Sequence, residues 1–417
     1  MKLTLICHQF EMSGAQHANM NASSQTRLLV ENFVPQDQKM RLAVVTETWP
    51  PEVNGVAMTL SRLIQQLAGR GHTIQLIRPK QDSADVGNEK QGWSEMLTKG
   101  LPIPRYPQLK LGLPGKKALI QAWTLHRPDL VHVATEGPLG WSALQAAKCL
   151  KLPVTSDFRT NFHAYSKHYG MGWLSKPIVA YLRKFHNRTQ RTMVPTQELR
   201  DQLQALGFER LDVIARGVDT ELFKPEQRSL SLRQQWGADE QTVVLLCVAR
   251  LAAEKNLDLA VAAYQAMQAQ GCDVKLVFAG DGPYRAQLQE KCPNAIFLGM
   301  CSQQQLAPVY ASADVFVFPS LTETFGNVTV EALASGTPVI AFDCAAAGAL
   351  IEHQVNGWLV AMEDEPTFIR TALQAVQDVS ALRDMRPSTA ASVQNLAWSS
   401  IADAAEQVFR RVLLQAS

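Results

Sequence analysis

The chain has 417 residues, 46% hydrophobic and 19% charged, the mixture of an ordinary folded protein of two or three domains at roughly 150 residues each. That composition excludes collagen-like, low-complexity and wholly disordered chains. Forty Lys and Arg against 38 Asp and Glu leave a net charge of +2, without the basic surplus of a dedicated nucleic-acid binder, so no nucleic-acid partner is expected.

Residues 1–39 are rich in Gln, Asn, Ser and Met and carry no sustained hydrophobic period. Their low hydrophobicity cannot offset the entropy of ordering. They are expected to be a disordered N-terminal extension, an appended tail or the product of a start placed too far upstream; a regulatory or targeting arm is the alternative. The five residues Leu3 to Cys7 are too few for the apolar region of a secretory signal, about 7–15 residues.

From Met40 the chain alternates short apolar runs with helical patterns. Strands are expected at Leu42–Val45, Thr73–Ile77, Asp129–Val133, Val154–Asp157 and Thr192–Val194. Helices are expected at Met58–Ala68, apolar at 60, 63, 64 and 67, at Ala118–Leu125 and at Trp141–Leu150. The pattern restarts with strands at Val243–Val248, Lys275–Ala279, Ala295–Leu298, Asp314–Phe318, Val339–Ala341 and Trp358–Val360. Alternation of this kind means βαβ units and parallel sheets. The expected fold is α/β with two Rossmann-like domains, 40–215 and 216–395, facing across a cleft, and a helix in 396–417 that closes back onto the first. A cleft between two such halves is a usual place for ligands.

The richest segment runs from Pro319 to Pro338. It follows the strand Asp314–Phe318, so it sits at the carboxyl end of a parallel strand, where open α/β sheets bind ligands. Phe325-Gly326-Asn327 reads as a tight turn feeding a helix over 328–335, stopped by Gly336 and Pro338. A helix N-terminus suits a phosphate. Glu323 precedes the helix and Glu331 lies one turn inside it. The two would accept hydrogen bonds from hydroxyls at different depths of an extended ligand such as a nucleotide sugar. The alternative makes Glu331 a surface helix residue and Glu323 a charge that favours the helix dipole.

Arg250 and Lys255 follow the strand Val243–Val248 and supply cations at the same side of the sheet, where a guanidinium grips phosphate bidentately and an ammonium acts as a point charge. Gly280-Asp281-Gly282-Pro283 is a turn whose glycines permit close backbone approach. In the first half Gly55, in Trp49-Pro50-Pro51-Glu52-Val53-Asn54-Gly55, would let backbone N–H groups approach a phosphate from the opposite wall. Neither the dinucleotide fingerprint nor a P-loop is present, which argues against NAD and ATP chemistry.

Taken together, the block Glu323-x7-Glu331 with Phe325-Gly326-Asn327, Arg250 with Glu254-Lys255, Gly280-Asp281-Gly282-Pro283, and Gly217-Val218-Asp219 leading to Phe223 resembles the retaining nucleotide-sugar glycosyltransferases of family 4, which have the GT-B fold. The resemblance covers about residues 40–415, and Thr46 to Val56 resembles the branch with GDP-mannose-dependent mannosyltransferases and glycolipid synthases. It implies that Glu331 binds the donor ribose, that Glu323 contacts the donor sugar with Phe325, Gly326 and Asn327 holding its hydroxyls, and that Arg250, Lys255, Gly55 and Gly282 surround the diphosphate. Fixed cations and N–H dipoles would then stabilise the departing charge, so no metal and no cofactor are expected beyond the donor, GDP-mannose or a UDP-hexose. Same-face attack with retention is implied.

One position departs from the family. Where related branches carry a His, this chain has Arg159, in Asp157-Phe158-Arg159-Thr160-Asn161-Phe162-His163. Arg cannot shuttle a proton near neutral pH. Arg159 would instead bind the phosphate or an anionic acceptor, and His163 would take the family role or be an ordinary helix residue.

Between Arg159 and Arg191 there are seven Lys and Arg and no acids, interleaved with Trp173, Ile178, Tyr181, Leu182 and Phe185. A basic helix with an apolar face can lie on an anionic membrane. Alternatively its apolar side packs on the sheet and its basic side is simply solvated.

The seven cysteines are scattered singly with no C-x-x-C pair, which argues against zinc ribbons and disulfide frameworks and makes a reducing cytoplasm the default. The longest apolar run, Val243 to Ala249, is far short of the roughly 18–20 residues that span a bilayer. The expected protein is therefore cytoplasmic, with peripheral contact to the inner membrane face and a lipid or saccharide acceptor. The competing functions are a GT-B phosphorylase, for which no pyridoxal-lysine pattern is seen, a non-catalytic sugar-nucleotide sensor, and a transferase acting on a soluble acceptor.

Overall fold

The computed structural model describes residues 38–52, 55–82, 84–90, 92–103, 106–159 and 175–416. The first sheet is built from β1 (Arg41–Val45), β2 (Thr73–Pro79), β3 (Glu89–Lys90), β4 (Trp93–Thr98), β7 (Leu130–Val133), β8 (Val154–Asp157), β9 (Arg191–Val194) and β10 (Leu211–Val213), with β5 (Gly100–Ile103) and β6 (Tyr106–Gly112) forming a separate hairpin. Its order is β10-β9-β8-β7-β1-β2-β4-β3, parallel except for the short antiparallel β3.

β1 is central because its side chains are apolar on both faces, as a doubly covered parallel strand requires. Leu42 and Val44 face a core that holds Leu60, Leu63, Ile64 and Leu67 of the helix Gly55–Gly69. Ala43 and Val45 face the opposite core, with Leu119, Trp123, Ala143 and Phe185. Val44 lies between Leu76 and His132 in the ladder.

The second sheet comprises β11 (Val243–Val248), β12 (Val274–Ala279), β13 (Ile296–Phe297), β14 (Val315–Phe318), β15 (Val339–Phe342) and β16 (Gly357–Val360). Its order, β13-β12-β11-β14-β15-β16, is all parallel. The C-terminal helix Trp398–Ala416 returns to the first sheet and buries Ala402, Ala405, Val408, Phe409 and Val412 in the same core as β1. The chain thus has the two parallel-sheet layers of the GT-B architecture.

The sequence pattern did not announce the β3–β6 segment or the helix Gln197–Ala205. The first consists of short strands broken by Pro and Gly, and the second is polar on most of its surface. Among the described residues no helix is long and apolar enough to cross a membrane.

Candidate active site

The order of the second sheet reverses at β11 and β14, so the loops that leave these adjacent strands diverge and open a crevice at their carboxyl ends. That topology brings distant residues together. Lys255 ends a 3-10 turn after β11, and Glu323 lies in the loop after β14. Lys255 Nζ is 2.5 Å from Glu323 Oε1, with the side chains 18% and 15% exposed. Ser320 Oγ donates to the same oxygen at 2.9 Å, and the ammonium stands 5.8 Å from the Phe318 ring centre. An ion pair this far from solvent fixes both groups at the floor of the crevice.

Arg250 lies on the rim. Its side chain is 63% exposed and pairs with Glu254. The wall is the helix Asn327–Ala334, entered through Gly326 in the left-handed region at φ +94°. That conformation is what lets the chain turn from Phe325 into the helix at once, and it favours glycine. Phe325 is buried, and its carbonyl accepts from Ala346 N at 2.8 Å. Asn327 Oδ1 is buried without a partner.

Opposite, the helix of the first half starts at Gly55. A Cβ on Gly55 would lie 3.6 Å from both Asn327 Nδ2 and Arg216 Nη1. Two helix N-termini therefore converge, each carrying partial positive charge. They enclose a cavity of about 310 Å³ lined by Gly55, Arg216, Arg250, Lys255, Glu323 and Asn327, among others. Cations and the positive ends of two helices, with a carboxylate beside them, suit a phosphate next to hydroxyls.

Glu331 does not line this cavity. Tyr310 donates its hydroxyl to Glu331 Oε2 at 3.1 Å. Burial pushes the Glu331 carboxyl up to about 7, while hydrogen bonds from Tyr310 and Gln303 pull the other way. Gln303 Oε1 accepts from Arg62 Nη2 at 3.2 Å, and Arg62 pairs with Asp219 at 3.4 Å. Glu331 is thus a held, partly buried group whose surroundings reach the first helix, not a solvated surface residue.

Gly282 also sits away from the cavity. A Cβ there would fall 2.3 Å from Leu251 O, and one on Gly280 would fall 2.0 Å from Ala249 O. The turn is pressed against the loop that carries Arg250, with Leu251 N donating to Asp281 O at 3.0 Å. The close approach these glycines permit in the structure is to that loop.

At the end of β8, Arg159 folds onto Asp157, with Nε donating to Oδ2 at 2.8 Å and Nη2 to the same oxygen. His132 Nε2 lies 3.3 Å from that oxygen as well. Burial opposes ionisation of Asp157, but Arg159 and His132 outweigh it and hold the carboxyl well below the usual range. His163 lies outside the described residues, as do Lys167, His168 and Trp173.

In the helix Ser175–His186, Leu182 and Phe185 pack into two cores of the first half. His186 is buried, with Nδ1 2.9 Å from Ser156 Oγ and Nε2 3.3 Å from Glu136 Oε1. The apolar side is therefore committed to the sheet, and Lys176, Arg183, Lys184 and Arg188 stay exposed. Arg188 stacks over Trp141 at 4.8 Å.

Two residues with shifted titration, one at a strand end of the first half and one lining the crevice, were not read from the sequence. Glu47, after β1, is buried against the start of the helix Pro138–Leu150, where Leu139 N donates to Oε1 at 2.8 Å. Burial pushes its carboxyl up to about 7 against the pull of those backbone donors. The signal was its position at the end of the first strand, beside the order reversal at β1 and β7. The other is Arg216, which looked like linker because it precedes the glycine of a connecting turn.

Residues 53–222 match the Glycosyltransferase Family 4 model and residues 242–378 the Glycosyl transferases group 1 model. The GDP-mannose-dependent alpha-mannosyltransferase of Corynebacterium glutamicum is 31% identical, with 87% of this chain and 86% of that protein aligned. The alpha-monoglucosyldiacylglycerol synthase of Streptococcus pneumoniae is 31% identical over 82% of this chain and 80% of that protein. Sucrose-phosphate synthase from Thermosynechococcus elongatus shares the fold, with a TM-score of 0.73 at 19% identity over 91% of this chain and 100% of that one. The chain belongs to glycosyltransferase family 4, as an enzyme of GT-B fold that acts on nucleotide sugars.

Proposed function

We propose that this enzyme is a retaining hexosyltransferase that takes the sugar from GDP-mannose or a UDP-hexose and passes it to a lipid or saccharide acceptor, without a metal or further cofactor. The observation that carries this reading is the Lys255–Glu323 pair set between two converging helix N-termini. In this reading the diphosphate lies against Gly55, Arg250 and Lys255. Glu323 and the Phe325–Asn327 turn hold the hexose, and Glu331 takes the ribose. Charge that develops on the departing phosphate meets cations and dipoles already in place, which is the condition for transition-state stabilisation without reorganisation.

GDP-mannose is the favoured donor, supported by the mannosyltransferase relative, and a lipid acceptor is supported by the alpha-monoglucosyldiacylglycerol synthase relative. The exposed cations Lys176, Arg183, Lys184 and Arg188 would rest on an anionic cytoplasmic membrane face. Binding isotherms against a panel of nucleotide sugars test the donor. One nucleotide sugar should bind well ahead of its free hexose, with affinity lost in Lys255→Ala and unchanged by a chelator. Equal binding of wild type and Lys255→Ala sinks the assignment of this crevice.

A further inference from the structure

Three cations near the crevice each have an acid of their own. Lys255 has Glu323, Arg250 has Glu254 and Arg159 has Asp157. Arg216 has no acidic partner within ion-pair distance among the described residues. Its guanidinium lies over the Phe325 ring at 5.8 Å, and its Nη1 stands where the two helix N-termini meet, 3.6 Å from the Cβ position of Gly55. Burial and the like charge of Arg159 lower its pKa to about 10, while Asp157 and Glu323 pull it up. Arg159 itself is nine-tenths buried, and its Nη1 has no partner; Asn327 Oδ1 is equally unpaired. The two guanidiniums thus lie close to each other, and among the described residues Asp157 is the one carboxylate in ion-pair contact with either of them.

Arg216 is half-buried, and a charge partly withdrawn from water beside a like charge is costly unless an anion binds it. We infer that Arg216 is a phosphate ligand of the donor, a third cation of the diphosphate site held ready by the surplus positive charge it shares with Arg159. This rests on the nucleotide-sugar reading above. A guanidinium placed between two helix N-termini presents a planar fork to phosphate oxygens where the dipoles already favour an anion. During transfer the C1–O bond of the donor breaks and its electron pair leaves on the β-phosphate oxygen. The acceptor oxygen forms the new bond to C1, and its proton passes to that phosphate oxygen. Arg216 stabilises the charge in between. A donor diphosphate, with about two negative charges at neutral pH, would balance that surplus of positive charge.

The test compares wild type, Arg216→Met and Arg216→Lys by calorimetric titration with GDP, GMP, UDP and UMP, alongside thermal melting without ligand. Wild type should prefer the diphosphate to the monophosphate of its nucleoside. Arg216→Met should lose about 10- to 100-fold of diphosphate affinity, the range for a charged hydrogen bond, with monophosphate affinity unchanged. Arg216→Lys should keep part of the preference. Unliganded Arg216→Met should melt at or above wild type, because it relieves the repulsion with Arg159.

An Arg216→Met protein that keeps the diphosphate preference overturns the inference. So does one that melts lower and loses affinity for both phosphate classes in parallel, since Arg216 would then be a structural residue. A Met variant that keeps the preference but no longer uses an anionic acceptor assigns the pair to the acceptor, and overturns it too. A wild type that binds no nucleoside diphosphate removes the donor reading together with this one, whereas wild-type binding with an unaffected Met variant removes this one alone.

Discussion

Replacing Glu331 by Gln should stabilise the empty enzyme, and more so as the pH rises. Glu331 is held against Tyr310 with its carboxyl pushed up to about 7 from an ordinary value of 4.5. The folded state therefore holds on to a proton that the unfolded chain gives up. Such a group contributes its stability fully below about pH 4.5 and loses it as pH rises through about 7. With one pKa unit worth about 1.36 kcal/mol, the charged carboxylate costs at most about 3 kcal/mol at pH 8 and under about 1 kcal/mol at pH 5. Gln keeps an acceptor for the Tyr310 hydroxyl and never ionises. Urea unfolding of wild type and Glu331→Gln at pH 5 and pH 8 measures the difference. The variant should gain about 2 kcal/mol on wild type between the two pH values. The same variant should bind the donor more weakly, because the cost of holding a carboxylate there is met by a ligand hydroxyl. A pH-independent difference, or a variant less stable at pH 8, refutes the reasoning.

Other outcomes rest on the same geometry. Lys255→Ala should lower turnover by about 100-fold or more, as loss of a preorganised charge at a leaving group does, and thermal melting should fall as well because Glu323 is left partly buried without its partner. Arg250→Ala should change stability by less than about 0.5 kcal/mol, since its pair with Glu254 is exposed, yet weaken donor affinity in binding isotherms. Gly326→Ala should destabilise by about 1–2 kcal/mol in urea titrations, because an L-residue is strained at φ +94°, and should lose activity through displacement of Asn327. Vesicle sedimentation at low salt should show binding to anionic but not neutral lipid, reduced in Lys176→Glu with Lys184→Glu; no binding to anionic vesicles ends the membrane proposal.

The sheets were legible because their strands are short apolar runs buried on both faces, and β8 and β11 fall on the residues that periodicity marks. The loops that carry Glu323, Arg250 and Lys255 were legible for the same reason: the end of a parallel strand sets where the loop leaving it must lie. Partnerships were less so. That Lys255 meets Glu323 depends on β11 and β14 lying side by side, which the pattern of one strand does not state. Gly282 looked like a ligand turn because close approach to a backbone and close approach to a phosphate need the same residue. Arg216 was hidden because its neighbours come from three places: Gly55, Arg159 and the Phe325–Asn327 turn. The apolar side of Ser175–His186 reads equally well for sheet and membrane, and only the packing of Leu182 and Phe185 distinguishes them.

The central claim is that the crevice between Gly55 and Glu323 breaks the bond between a hexose and a nucleoside diphosphate. Slow hydrolysis of the donor in the absence of acceptor, followed by release of GDP or UDP, measures this most directly. Wild type should release nucleoside diphosphate from one nucleotide sugar of the panel, with Glu323→Ala and Lys255→Ala reduced to background while both remain folded. Release at the wild-type rate by both variants, or binding of the donor with no turnover in the presence of any lipid or saccharide acceptor, would contradict it.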